Sequence, residues 1–254
     1  MKPPAGAPAG SPGRDKVRKL GIIGGATWSS TALYYDHINR GVARRLGGLH
    51  SARLILESFD FAEYAAFHQA DDWAGGNAMV VDAARRLRIA GAEGLLLASN
   101  TMHKAAQEAI AATNLPLLDI RVATAERLIA DGRSRIALLG TRFTMTEPFA
   151  RAPYEDRGLV IHELTPEWRA EVDRIIYEEL AAGRVIRESQ RKLKTLITEL
   201  GKQKVQAVVL GCTELVLAVD TRANVLPVHD TTAIHAGMAV EWMLEEPEEA
   251  RAAA

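Results

Sequence analysis

The only cysteine of the chain, Cys212, lies in Leu210-Gly211-Cys212-Thr213-Glu214, directly after the apolar run Ala207-Val208-Val209-Leu210. An apolar run this short, with helical sequence before it, reads as a buried parallel strand. Gly211 lets the backbone turn, so Cys212 falls at the strand's C-terminal end, the edge where open α/β sheets bind ligands. Amide dipoles at the start of the next turn would favour thiolate and make this thiol more acidic than a free one. Such a sulfur can remove a proton and, once protonated, return one. The competing reading is a buried structural cysteine, because free Cys is among the most buried residue types.

A second stretch has the same form. The short apolar strand Gly94 to Ala98 ends in Ser99-Asn100-Thr101. Two further landmarks also occur twice and in the same order. A strand running into a glycine-containing loop appears as Leu20 to Gly25 and again as Ile136 to Thr141. A Leu-Pro-x-x-Asp strand appears as Leu115 to Asp119 and again as Leu226 to Asp230. The intervals between landmarks agree to within a few positions, which points to a duplicated α/β unit. Two such lobes facing each other would set Ser99 and Cys212 on opposite walls of a cleft, and ligand sites favour domain interfaces of this kind. A proton-transfer group on each face of a small molecule is what inversion of a carbon centre needs.

The elements that must position these residues follow from periodicity and punctuation. Strands are expected at Val17 to Ile23, Arg53 to Phe59, Gly94 to Ala98, Leu115 to Ile120, Arg135 to Leu139, Leu159 to His162, Ala207 to Leu210 and Val225 to His229. Helical spacing of Leu33, Tyr34, Ile38, Val42 and Leu46 marks a helix capped by Thr27, Ser29 or Ser30 and stopped by Gly47-Gly48. Further helices are expected from about Gly76 to Ala90, after Thr101 through Ala111, over Val122 to Ala130, Glu167 to Ala182, Val185 to Leu200 and Thr231 to Leu244. Alternating strands and helices predict α/β architecture with mostly parallel sheets. The expected division is a first lobe of residues 17–120 plus 226–246 and a second of 121–225.

Composition excludes several classes of function. Charge is nearly balanced, 31 Lys and Arg against 32 Asp and Glu, and no basic block offers nucleic acid an electrostatic footprint. No apolar run approaches the roughly 20 residues of a membrane span. Residues 1–16 are rich in Pro, Ala and Gly without an apolar core, so they read as a disordered tail rather than a secretory signal. Residues 247–254 are expected to fray. A lone cysteine forms no internal disulfide and suits a reducing cytoplasm.

Other candidates carry less. His103, one helical turn after Ser99, could orient or relay, or simply cap and pack. His229 and His235 lack metal spacing, and no Cys or His cluster supports a metal site. Gly21-Ile22-Ile23-Gly24-Gly25 lacks the third glycine and the acidic residue of a dinucleotide loop. It fits better as a place where backbone approaches a small carboxylate. His68 and Gln69 read as a solvated helix face, with a substrate contact as the alternative. Glu214 either orients a neighbour of Cys212 or complements a helix start. Trp28, Trp73, Trp168 and Trp242 read as packing or dimer contacts.

Gly24-Gly25, Ser99-Asn100-Thr101-Met102-His103, Gly211-Cys212-Thr213-Glu214 and Leu226-Pro227-Val228-His229-Asp230 resemble the aspartate/glutamate racemase superfamily across about residues 17–245. Gly47-Gly48-Leu49-His50-Ser51-Ala52, Asp60-Phe61 and Gly140-Thr141-Arg142 resemble its amino-acid racemase subgroup with a hydroxyl residue in place of the first catalytic cysteine. The resemblance implies two pseudo-symmetric three-layer α/β lobes with the active site in the interlobe cleft. It implies homodimers and proton transfer at Cα without pyridoxal phosphate or any other cofactor, on aspartate, glutamate or a related small amino acid. By the same resemblance Cys212 and Ser99 are catalytic, and Asn100, Thr101 and Thr213 hold the substrate α-carboxylate. Thr144 and Thr141 contribute from the second lobe, and Gly25 from the first loop. The basic residues that grip a distal carboxylate are not matched, and Arg169 is the nearest candidate.

Ser99 is the departure with chemical consequence. A serine hydroxyl is far less acidic than a thiol, so it donates or relays a proton more readily than it removes one. The expectation is asymmetric catalysis, fast where Cys212 is the base. The alternatives are a one-cysteine dicarboxylate decarboxylase or cis-trans isomerase of the same superfamily, and a binding protein that has lost turnover.

Overall fold

The computed structural model describes residues 17–245. The expected disordered stretch 1–16 and frayed stretch 247–254 lie outside the described residues. Strands β1 (Leu20–Gly24), β2 (Leu54–Ser58), β3 (Gly94–Leu97) and β4 (Leu117–Leu118) form a parallel sheet in the order β2-β1-β3-β4. Strands β5 (Arg135–Leu139), β6 (Val160–Ile161), β7 (Ala207–Leu210) and β8 (Val228–Asp230) form a second parallel sheet in the order β6-β5-β7-β8. The two orders are the same when the halves of the chain are laid one on the other, as the repeated landmarks require.

Four helices follow within the first half: α1 (Trp28–Leu46), α2 (Phe61–Gln69), α3 (Trp73–Ile89) and α4 (Ala106–Thr113). The second half adds α5 (Ile120–Ala130), α6 (Arg142–Thr146), α7 (Pro148–Glu155), α8 (Pro166–Arg174), α9 (Arg187–Lys202) and α10 (Thr231–Leu244). Each sheet is covered on both faces, which is why its strands read as continuous apolar runs. Side chains alternate across the first sheet. Ile23, Leu95 and Leu97 meet Val80, Ala84 and Leu87 of α3, whereas Leu20, Ile22 and Leu96 meet Tyr34 and Ile38 of α1 and Ala239 and Met243 of α10. In the second sheet Leu139, Val208 and Leu210 face Val172 of α8 and Leu193, Leu196 and Ile197 of α9. Ile136, Leu138 and Val209 face Ala125 and Leu128 of α5 and Tyr154 of α7.

The expected lobe boundary at residue 226 needs correction. Strand β8 pairs with β7 in the second sheet, and only α10 after it returns to the first lobe. The reason lies in the repeat itself. Each Leu-Pro-x-x-Asp strand ends in an aspartate that N-caps the helix crossing to the other lobe. Asp119 Oδ1 accepts from the Arg121 amide at 2.9 Å, and Asp230 Oδ1 from the Thr232 amide at 2.8 Å. Thus α5 leaves the first sheet to cover the second, and α10 leaves the second to cover the first.

The single helix expected from Glu167 to Ala182 is also modified. Past α8 the chain widens into a π-helical turn, Ile175–Leu180. Such turns recur at functional sites, and this one brings Ile176 and Tyr177 to the interlobe cleft.

Candidate active site

The central strands of both sheets point their C-terminal ends at one cleft between the lobes. Ser99 follows β3 and Cys212 follows β7 at equivalent positions, and both line this cleft. The cleft is narrow, with about 40 Å³ of space open to a water-sized sphere between its walls.

Cys212 is 9% exposed and its thiol donates to Glu214 Oε2 at 3.0 Å. The same oxygen accepts from the Thr213 hydroxyl at 2.9 Å, and Oε1 accepts from the Thr27 hydroxyl of the opposite lobe. Glu214 is therefore a buried acceptor that joins the thiol to both walls. Burial, followed by the Glu214 carboxylate, pushes the Cys212 thiol well above its ordinary range. This corrects the expectation of an acidified cysteine. The amide dipoles of the short 3-10 turn Thr213–Leu217 are outweighed by desolvation and a neighbouring negative charge.

Ser99 is held through its backbone. His103, 1% exposed, spans from the Ser99 carbonyl (Nδ1, 2.8 Å) to the Ile120 amide (Nε2, 3.3 Å) at the first crossing between lobes. The contacts fix the tautomer: Nδ1–H donates to the carbonyl and Nε2 accepts from the amide. Burial lowers the His103 pKa to about 4, so the ring braces the Ser99 turn as a neutral group. At the second crossing, Asn100 Nδ2 donates to the Thr231 hydroxyl at 3.2 Å, and that hydroxyl donates to the Leu210 carbonyl at 2.7 Å. One short chain of hydrogen bonds thus ties the residue beside Ser99 to the strand end before Cys212.

The remaining residues divide in two groups. Asn100, Thr101, Thr141 and Thr213 line the cleft with Ser99 and Cys212, and the Thr101 and Thr141 hydroxyls face each other across the lobes at 3.5 Å. Thr144, Gly25 and Arg169 are not in the lining. Thr144 stands one layer back, its hydroxyl 3.2 Å from that of Thr141, and its side chain packs where a Cβ on Gly140 or Gly211 would fall. Gly25, at φ +85°, shapes the loop that presents Ala26 and Thr27. Arg169 lies 3.5 Å from Glu163.

Other lining residues were not legible beforehand. Ala26, Thr27, Phe61, Tyr64, Ile176, Tyr177 and Ala181 complete the walls. Tyr177 is delivered by the π-helical turn, which has no sequence signature. His68 is 5% exposed and lines the cleft, where the sequence favoured a solvated face. The aromatic spacing of Tyr64, His68 and Trp73 was the available signal. Trp73 packs between His68 and Phe143, whereas Trp28 stands 79% exposed.

A family model described as Asp/Glu/Hydantoin racemase matches residues 23–239. The chain belongs to this racemase family. It is 42% identical to a candidate Asp/Glu racemase from Yersinia pestis, with a TM-score of 0.83 over 90% of this chain and 100% of that one. It is 33% identical to an aspartate racemase homologue from Pyrococcus horikoshii OT3, with a TM-score of 0.76 over 90% and 100%. An aspartate racemase from Picrophilus torridus shares the fold at 16% identity and a TM-score of 0.73, covering 92% of this chain and 98% of that one. The two-lobe α/β fold of these racemases is the fold of this chain. Among the described residues no helix is long and apolar enough to cross a membrane.

Proposed function

We propose that this racemase-family member is a cofactor-independent amino-acid racemase of the subgroup with a hydroxyl in place of the first cysteine. It moves the α-proton of aspartate, glutamate or a related small amino acid. Cys212 serves one face of the α-carbon and Ser99 the other. The observation that carries this reading is the meeting of these two residues, from equivalent strand ends of the two sheets, in one cleft.

The chemistry follows from the contacts. Transfer of the thiol proton to Glu214 along the 3.0 Å contact leaves a thiolate and a carboxylic acid. The thiolate takes the α-proton and becomes a thiol again. Ser99 gives its hydroxyl proton to the opposite face of the carbanion, water reprotonates the resulting alkoxide, and Glu214 releases its proton to the hydroxide so formed, which closes the cycle. Asn100, Thr101, Thr141 and Thr213 bind the α-carboxylate, their hydroxyl and amide groups supplying donors to an anion at the strand ends. The unaided Ser99 hydroxyl is a poor base, so the enantiomer whose α-proton faces Cys212 is processed faster.

The test is incorporation of solvent deuterium at Cα, followed separately for L- and D-aspartate and L- and D-glutamate. Wild type is expected to exchange one enantiomer of a substrate much faster than the other, and Cys212→Ala to exchange neither. Exchange that survives Cys212→Ala removes this thiol from the mechanism.

A further inference from the structure

His68 is a buried polar group of the cleft that the proton-transfer scheme leaves unused. It lies in the last turn of α2 and lines the cleft. Its Nε2 is buried and has no hydrogen-bond partner among the described residues. The ring is not loose: Tyr64, Trp73 and Phe143 pack around it with centroids at 4.5, 4.7 and 5.8 Å. A buried polar nitrogen kept in place without a partner costs free energy that a bound group would recover.

The charges beyond this aromatic shell indicate which group. Lys104 stacks on Trp73 at 3.6 Å, but Glu147 pairs with it at 2.5 Å and offsets its charge. Arg142 stacks on Phe143 at 4.5 Å and forms no ion pair among the described residues, although the Asp173 carboxylate, which accepts from the Arg142 amide at 2.6 Å, feels its charge. Among the described residues no Lys or Arg lines the cleft itself. Burial, then Lys104 and Arg142, lower the His68 pKa to about 4, so at neutral pH the ring is uncharged. As the Nε2–H tautomer it presents a donor where the Lys104 and Arg142 charges are felt.

We infer that His68 is the specificity-determining residue of this cleft, its Nε2–H receiving a carboxylate at the end of the substrate's side chain. The inference rests on the racemase reading above for the identity of the reacting end, and adds how the other end is selected. A neutral donor with a guanidinium one ring away favours an anion without placing an ion pair beside the Glu214 carboxylate.

The test compares α-deuterium incorporation with aspartate, asparagine and 2-aminobutyrate in wild type, His68→Leu and His68→Gln. Wild type is expected to prefer aspartate. His68→Leu should lose about tenfold or more of the aspartate preference over 2-aminobutyrate, and His68→Gln should restore part of it. Equal losses on all three substrates, or an unchanged preference, overturn the inference. Thermal stabilisation by succinate, which cannot racemise, reads the same contact without turnover. Wild type is expected to be stabilised and His68→Leu not. Succinate stabilisation without any α-exchange in wild type would sink the racemase reading while sparing His68, and equal stabilisation of both proteins would sink His68 alone.

Discussion

The Cys212 thiol and the Glu214 carboxylate, two positions apart in the chain and both buried, share a 3.0 Å hydrogen bond. The pairing has two opposed effects. It stabilises the protonated thiol at rest, and it supplies the acceptor through which the thiolate forms.

Replacing Glu214 by Gln separates these effects. The neighbouring negative charge is second to burial among the causes that raise the Cys212 pKa. The inflection in the pH dependence of thiol alkylation should therefore fall in Glu214→Gln yet stay above that of a free cysteine. The α-exchange rate should nonetheless drop by about a hundredfold or more, because the proton acceptor is gone. A faster enzyme with a more acidic thiol would show that Glu214 only restrains Cys212.

Ser99→Cys tests the opposite wall. A thiol there supplies the base that the hydroxyl cannot, so exchange of the slow enantiomer should rise while that of the fast one changes little. Measuring both enantiomers in the same deuterated buffer decides it. A gain shared equally by both directions would speak against one group per face.

The division between what was legible and what was not follows the range of the interactions. Strand ends, the glycine turns and the repeated Leu-Pro-x-x-Asp strands are local features, and they placed Ser99 and Cys212 correctly at matching sheet edges. Periodicity also marks α5 as a helix. It could not show that β8 stays with β7 while α10 departs, because the pairing partner of a strand is a tertiary fact. The thiol's acidity escapes the sequence for a similar reason. Helix-start dipoles are visible in sequence, but burial and the orientation of Glu214 toward the sulfur are not. Tyr177 depends on a π-helical turn, and His68 on an aromatic shell assembled from both lobes.

Stability should fall as pH drops below about 6.5. His103 and His235 have folded pKa values lowered by burial to about 4 and about 3. In that window the unfolded chain binds protons that the folded chain refuses, so the contribution is complete above about 6.5 and is lost on acidification. For His103 alone the loss by pH 4 is on the order of 3 kcal/mol. Urea denaturation between pH 4.5 and 7.5 should show this slope, and His103→Gln should flatten it. An equal slope in the variant would assign the pH dependence to other groups.

Thr231→Val addresses the lock between the two walls. The valine keeps the shape but strands the Leu210 carbonyl and the Asn100 amide, each now lacking the hydroxyl that served it. The expected cost in stability is about 1–3 kcal/mol by denaturant titration. The more informative readout is kinetic. If Thr231 holds the Ser99 and Cys212 turns in register, kcat should fall severalfold with the Cys212 alkylation profile unchanged, since the groups around the sulfur are untouched. A variant that loses stability but turns over normally would mean that the register is set by the Thr27–Glu214 contact across the cleft instead.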